Sequence, residues 1–433
     1  MTPSPNHLLL TFYGDDFTGS TDALEFLYRA GAKAVLFMRP PTPEQLERYS
    51  GLQAVGIAGM SRAMSPEMME QELRPAFKAL GALGAPHLHY KVCSTFDSSP
   101  TIGSIGKAID IGKELFPHNT FVPVLGGTPA LGRHCVFGNL FARMGIGSSG
   151  SIHRLDRHPS MSRHPVTPSD ESDLRLLLSR QTKKQIGLLD ILQIARPLAE
   201  TKKALRSCLD EGAEVLLLDA LYEEQMTAIG ELIDSFTIPG QCLFSVGSSG
   251  IEMALGAWFQ EQGRLTKPQS WTSPGKASPL LVISGSRSPV TAGQIAWAVS
   301  NGFTETGVDT TPDTIISLLR QGNNVIVHTG TASVDRIPPG MTAQVLGTAL
   351  GRIARDVMAQ IPLQRLVIAG GDTSSFAARA LDIEAVEMIA PLSPGAPLCK
   401  ASAPTSPADG IEINLKGGQV GADNYFGKIL EGK

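Results

Sequence analysis

The sequence predicts an α/β protein of two domains, each a largely parallel sheet flanked by helices. Three observations predict it. Short apolar runs alternate with longer amphipathic segments through most of the chain. The runs are apolar on both faces, as parallel strands covered on either side must be. At 433 residues the chain is also too long for one ordinary core.

In the first half the strand candidates are "HLLLTFY", "AVLF", "QAVGIA", "HLHYKV", "TFVPVL", "QIGLLD", "EVLLLD" and "QCLFSV". Most are followed by Gly, Ser or Asp and then a helical pattern. In "DALEFLYRAGA" Ala23, Leu24, Leu27 and Tyr28 fall near helical spacing, Gly31 serves as the stop, and Ser20 or Thr21 is the expected N-cap. The stretch 263–278, "GRLTKPQSWTSPGKAS", has the Pro, Gly, Ser and Lys content of an exposed connection. The expected domains are therefore 1–262 and 279–433, with 263–278 as linker and closure expected around it. After it the alternation restarts with "PLLVISG", "NNVIVHTG" and "QRLVIAGG". Helical patterns follow at "PVTAGQIAWAVS", "TAQVLGTALGRIARDVMAQ" and "TSSFAARAL". The tail from Val386 reads as strands and loops.

Composition narrows the function classes. The 42% hydrophobic and 18% charged content describes a soluble globular chain. Lys plus Arg total 37 against 41 acidic residues, a net charge of −4, which gives no electrostatic footprint for nucleic acid. Cys93, Cys135, Cys208, Cys242 and Cys399 are odd in number, widely spaced and free of any C-x-x-C pair. Neither a disulfide framework nor a zinc knuckle is expected, no metal ligands are assigned, and a reducing cytoplasm fits best. The first residues lack a basic n-region and long apolar core, and no later run approaches the roughly 18 apolar residues of a span. The expected partners are thus small molecules, without nucleic acid or membrane; composition leaves a homo-oligomer open.

Open α/β sheets bind ligands outside the carboxyl ends of their strands, so chemistry is sought where apolar runs stop. Asp15 and Asp16 follow the first run. Arg62 follows the third, and Lys91, Ser94, Thr95 and Asp97 follow "HLHY". An acidic pair at the exit of a buried strand must be hydrated, paired or used. If these strands are parallel neighbours, the clusters form a site for a small polyhydroxylated anion: Arg clamps a carboxylate, Lys adds a point charge, and Asp accepts from hydroxyls. The bland alternative is a helix cap beside solvated cations.

In the second half "ISGSRSPVTAGQ" places Gly285-Ser286-Arg287-Ser288 at a strand end, with Ser288 as N-cap and Pro289 at the first helical position. "LVIAGGDTSSFAARAL" repeats the plan with Gly370, Gly371, Asp372 and Thr373. Glycines let a backbone approach a phosphate, and helix N-termini offer free N–H groups. Two such turns suggest a nucleotide site, and Gly417-Gly418 is a third glycine pair able to flank it. The G-x-G-x-x-G match at 145–150, "GIGSSG", follows "NLFARM", which reads as helical, so it lacks the strand context of a dinucleotide fingerprint. P-loop, H-E-x-x-H and G-x-S-x-G patterns are absent from the sequence. The His- and Arg-rich stretch 153–164 is read as a surface loop or anion-facing flap.

In order along the chain, "YGDDFTGSTDALE", "YKVCSTFDS", "GRHCVFGNLF", "RHPVTPSDESDL", "ISGSRSPVTAGQI" and "AGGDTS" together resemble the four-carbon acid sugar kinase family. The resemblance covers nearly the whole chain. It implies a sugar-acid-binding N-terminal domain and a nucleotide-binding C-terminal domain, with the active site in the cleft between them and ATP and Mg²⁺ as cofactors. Residue by residue, it implies that Asp15, Asp16, Arg62 and the segment Lys91, Val92, Cys93 and Ser94 bind the acid. Ser286, Gly370, Gly371, Asp372, Thr373 and Gly417 would bind ATP. Asp16, or Asp15, would orient and deprotonate a terminal hydroxyl, and Asp372 would support Mg²⁺ or cap its helix. Many members continue Ser-Thr with Leu-Arg-Gly; here Phe96-Asp97-Ser98 follows Thr95, so that turn lacks a cation. Openings similar to "YGDDFTGSTD" belong to a branch acting on oxo or branched acids such as 3-oxo-isoapionate. The alternatives are a non-catalytic sugar-acid or nucleotide sensor and an NAD-dependent sugar-acid dehydrogenase.

Overall fold

The structure, a computed structural model, describes residues 8–146, 149–164, 166–331, 334–335 and 342–433. In the N-terminal half the strands are β1 (Leu10–Gly14), β2 (Ala34–Phe37), β3 (Ala54–Ala58), β4 (His87–Lys91), β5 (Val122–Leu125), β6 (Arg133–Val136), β7 (Asn139–Arg143), β8 (Ile152–Arg154), β9 (Ile186–Leu189), β10 (Val215–Leu218) and β11 (Leu243–Gly247). In the C-terminal half they are β12 (Leu281–Ser284), β13 (Phe303–Gly307), β14 (Asn324–His328), β15 (Gly330–Thr331), β16 (Val334–Asp335), β17 (Arg365–Ala369), β18 (Ala385–Ala390), β19 (Leu398–Ser402) and β20 (Glu412–Lys416).

Eight strands of the N-terminal half form a parallel block in the order β2-β3-β1-β4-β11-β5-β10-β9. Five of the C-terminal half form a second, β13-β14-β12-β17-β20. The apolar runs become strands because their side chains are buried on both sides of the sheet; β1, β3, β4 and β12 are buried at every residue. Both blocks match the expectation of a parallel sheet in each half. Their junction was not foreseen. Strands β19 and β18 run antiparallel beyond β20, and β18 pairs antiparallel with β2 through Ala385↔Phe37 and Val386↔Leu36, so one sheet of 15 strands crosses the molecule.

Three local readings are corrected. The helix predicted from Ser20 or Thr21 begins earlier, at Phe17, with Asp16 as N-cap accepting from the Gly19 N–H; Gly31 ends it in the left-handed region at φ 94°. "NLFARM" is mostly strand β7, not helix: its burial alternates residue by residue, and it pairs antiparallel with β6 and β8 in a small separate sheet. The tail from Val386 ends in a helix, Tyr425–Glu431, which buries Tyr425, Phe426, Ile429 and Leu430.

The stretch 263–278 has no helix or strand and is mostly exposed, as its composition predicts. It is nevertheless pinned. Leu265 and Ala277 are buried, Trp271 lies against Tyr28, and the Gly275 carbonyl accepts from Arg365 at 3.2 Å.

Candidate active site

The condition set by the sequence, that three strand ends be parallel neighbours, is met. Strands β3, β1 and β4 are adjacent, with Gly14 level with Ala58 on one side and Lys91 on the other. Asp15 and Asp16, Arg62, and the segment from Lys91 to Ser94 therefore leave the sheet at one height. Backbone hydrogen bonds stitch them together: the Asp15 N–H donates to Lys91 O at 2.8 Å, and the Arg62 N–H donates to Asp15 O at 3.0 Å.

Arg62 does not face an empty anion site. Its Nε and Nη2 donate to the two oxygens of Asp15 at 3.0 and 2.6 Å, and its Nη1 and Nη2 donate to those of Asp16 at 2.9 and 2.8 Å. Asp16 Oδ1 also accepts from the Gly19 N–H and Oδ2 from the Thr18 hydroxyl, both at 2.8 Å, so this carboxylate caps the helix and holds Arg62 at once. Asp15 Oδ2 accepts in addition from the Cys93 N–H at 3.3 Å. Burial pushes the Asp15 carboxyl above the usual range despite Arg62. Burial opposes the charge of Arg62, but Asp15 and Asp16 outweigh it and hold the guanidinium protonated.

Lys91 is buried, with Nζ 3.5 Å from Asp22 Oδ2. Burial works against its charge, while Asp22 and Asp15 overcome it and raise its pKa. A Cβ at Gly19 would lie 2.5 Å from Asp16 Oδ1 and 3.1 Å from Lys91 Nζ, so both functional groups converge on a position only glycine leaves open. Val92 turns its side chain into the core and contributes backbone. Burial pushes the Cys93 thiol up to about 12, which excludes a thiolate nucleophile at neutral pH. Ser94 accepts from Arg133 Nε at 3.0 Å.

The second set of ends has the same geometry. Strands β12, β17 and β20 are adjacent and parallel, with Ser284 level with Ala369 and Ala369 level with Lys416. Ser286, the Gly370 to Thr373 turn and Gly417 all leave at that level. A Cβ at Gly285 would strike Thr373 Cγ2 at 2.5 Å, and one at Gly418 would approach Ser286 Oγ at 3.1 Å, so the three turns touch. Ser286 Oγ donates to Thr291 Oγ1 at 3.0 Å, and Ser288 caps the helix Pro289–Ser300 through the Val290 N–H. Asp372 is the second residue of the helix Gly371–Ala380; its side chain lies outside the described residues, so the call on it is neither met nor contradicted.

Three residues of these two sites escaped the reading of the sequence. Asp22 lies inside the quoted opening motif but in mid-helix; its Oδ2 accepts from Ser249 at 2.6 Å, and its buried Oδ1 has no partner among the described residues. Lys416 ends an apolar run just before a glycine pair, the same signal that picked out Lys91. Its Nζ donates to Thr291 Oγ1 and Gly417 O, both at 2.9 Å, and burial lowers its pKa to about 7. Arg133 lies inside the quoted motif "GRHCVFGNLF", but it opens a short strand of the small antiparallel sheet rather than ending a strand of a parallel block, so the search at strand ends passed over it.

The two sets of turns meet. The Phe17 N–H donates to Ser375 Oγ, the Gly395 N–H donates to Glu25 Oε2 at 2.8 Å, and Arg379 Nη2 donates to Ala58 O at 3.2 Å. The loop after β7 also crosses over, with Ile146 bridged to Val420.

An α/β molecule with one cluster of paired charges on the strand ends of its first half, and a facing cluster of glycine turns on those of its second, has the architecture of a two-ligand protein binding a small polar anion and a nucleotide. Comparison with known proteins agrees: residues 10–255 match the family model described as a sugar-binding N-terminal domain, and residues 281–426 match a nucleotide-binding C-terminal domain. A 3-oxo-isoapionate kinase of Paraburkholderia graminis is 41% identical over 100% of this chain and 96% of its own. A 3-oxo-tetronate kinase of Pseudomonas savastanoi pv. phaseolicola is 26% identical over 98% and 97% of the two chains. A crystal structure from Salmonella typhimurium LT2 shares the fold, with a TM-score of 0.76 and 24% identity over 98% of both chains. The chain belongs to the four-carbon acid sugar kinase family.

Proposed function

We propose that the protein transfers the γ-phosphoryl group of ATP to a terminal hydroxyl of a short sugar acid, with 3-oxo-isoapionate as the first candidate. The observation that carries this reading is the meeting of the two clusters at Phe17 and Ser375, which supports an acid at the ends of β3, β1 and β4 lying next to a nucleotide at those of β12, β17 and β20. The 41% identity to a 3-oxo-isoapionate kinase supports the choice of acid. In this reading 1–262 is the sugar-acid unit, 279–433 the nucleotide unit and 263–278 the connection.

The roles follow from the chemistry. Lys91 faces the acid with a fixed positive charge. Asp16, with Asp15 behind it, orients and deprotonates the hydroxyl; since each of its oxygens already accepts from Arg62 and from either the Gly19 N–H or the Thr18 hydroxyl, the incoming hydroxyl must displace one of these four bonds. Ser286, Gly370, Gly371, Thr373 and Gly417 offer backbone and hydroxyl donors to the phosphates. Space for the nucleotide exists at Gly371, where an added Cβ would meet nothing within 4 Å. Mg²⁺ would travel with the nucleotide phosphates, and Asp372 would support it or cap its helix. When bound it neutralises charge on the transferred group.

Among the described residues no helix is long and apolar enough to cross a membrane. The five cysteines are free, which supports our assignment to the cytoplasm.

The test is ADP release with Mg-ATP over threonate, erythronate, their 3-oxo forms and 3-oxo-isoapionate, with D16N as control. Turnover of one acid, lost in D16N, is the expected result. Ligand binding without ADP formation would make the protein a sensor, and normal turnover by D16N would remove Asp16 from the base role.

A further inference from the structure

The structure assigns the carboxylate of the sugar acid to Arg133, which lies in the quoted motif "GRHCVFGNLF" but was given no role from the sequence. This rests on the sugar-acid reading of the site and specifies how the acid is recognised.

Arg62 seemed from sequence the natural clamp for a carboxylate, but all three of its nitrogens already donate to Asp15 and Asp16. Arg133 is in the opposite condition. It is 5% exposed, and a guanidinium keeps its charge in any protein environment. Among the described residues it forms no ion pair. Its Nε donates to Ser94 Oγ at 3.0 Å, and its Nη1 donates to the carbonyls of Leu131 at 2.7 Å and Arg143 at 3.4 Å; Nη2 donates to nothing described. All of these acceptors are neutral. Asp22 and Asp97 attract the guanidinium only from beyond ion-pair distance, and burial still works against its charge.

A buried cation without a counter-ion is costly, and such cations are normally paired. The missing partner is an anion, and the place identifies it. Ser94 lies at the end of β4, within the segment that faces the acid. The following turn, Thr95-Phe96-Asp97, brings no cation of its own. In the sheet order β3 and β1 stand between β4 and the nucleotide-binding strands. An acid with its carboxylate at Arg133 therefore directs its other end, the hydroxyl to be phosphorylated, toward the glycine turns. The fork of guanidinium nitrogens suits the two oxygens of a carboxylate.

The experiment is calorimetric binding of 3-oxo-isoapionate and its carboxamide to the unaltered protein, R133Q, R133K and R62Q, with ADP binding as the control for a folded nucleotide half. The unaltered protein is expected to prefer the acid. In R133Q that preference collapses by about 100-fold with ADP binding unchanged, and R133K recovers part of it. An acid-to-amide ratio untouched in R133Q, or one lost in R62Q alone, would overturn the assignment. If R133Q does not fold, a crystal structure of the unaltered protein with the acid decides: a carboxylate on the Arg133 guanidinium upholds the assignment, and one on Arg62 or Lys91 ends it. Binding of the acid through Arg133 without phosphoryl transfer would leave this assignment standing and remove the kinase reading.

Discussion

The backbone N–H of Phe17 donates to the Ser375 hydroxyl across 3.4 Å, so the helix that starts at the acidic pair touches the helix that starts at the second glycine turn. The same two halves are joined at the edge of the sheet, where β18 pairs with β2 and the Met38 N–H donates to Glu384 O at 2.9 Å. A swing about 263–278, the motion suggested by that segment's composition, would have to break both connections. We expect small-angle scattering to give the same radius of gyration with and without acid and nucleotide. A contraction on ligand binding would show instead that β18 parts from β2.

Removing Arg62 leaves two buried carboxylates facing each other. R62Q is expected to cost about 3–5 kcal/mol of stability, the usual consequence of breaking a buried pair from one side. The pH dependence has a definite sign. Asp15 already titrates above its unfolded range, so the folded state binds the extra proton and stability falls as pH rises through that window. Without Arg62 this effect grows, and the urea midpoint of R62Q should drop further below that of the parent at pH 8 than at pH 5. Equal deficits at both pH values would mean that the pair is not ionised in the parent.

Adjacent glycines in the second turn should respond in opposite ways. Gly370 has φ 133°, and a Cβ there would lie 2.3 Å from Thr373 Oγ1, so G370A is expected to distort the turn and cost at least about 1–2 kcal/mol. A Cβ on Gly371 meets nothing within 4 Å, so G371A should leave stability within about 0.5 kcal/mol of the parent. If phosphate occupies that space, the methyl group raises the KM for ATP by roughly tenfold or more. An unchanged KM in a stable G371A would place the phosphates elsewhere.

Lys416 braces the third turn from below. Its pKa is about 7 in the folded protein because of burial, against roughly 10.4 when unfolded. Between these values the unfolded chain binds more protons, so stability rises with pH across that window. In K416M this rise should be missing, and the gap between the two urea midpoints should widen from pH 7 to pH 9. The variant also loses the bonds to Thr291 and Gly417, so its KM for ATP should increase about tenfold. Parallel stability curves for the two proteins would show that Nζ titrates normally.

Much of the architecture is legible in sequence because a strand buried on both faces writes itself locally, as in "AVLF" or "EVLLLD", and a polar residue just past such a run marks a strand end. That is why Asp15, Lys91, Ser286 and Gly370 could be named without coordinates. Strand β13, "FTETG", escaped for the converse reason: it lies at the sheet edge, its middle is only partly buried, and its sequence carries no apolar run. Strand β7 was taken for helix because five residues are too few to separate the two periods.

The sequence by itself determined the fold class, the family and the strand ends proposed to carry chemistry, since each depends on patterns within a few residues of one another. Only the tertiary structure decided which ends are neighbours and how their charges are shared. Asp16 and Arg62 are 46 positions apart, and Arg133 reaches Ser94 across 39. No local pattern records that the first arginine is already committed to two carboxylates while the second has no counter-ion among the described residues. Strand pairing and burial bring such groups together, and the cost of leaving a buried charge uncompensated then gives each its role.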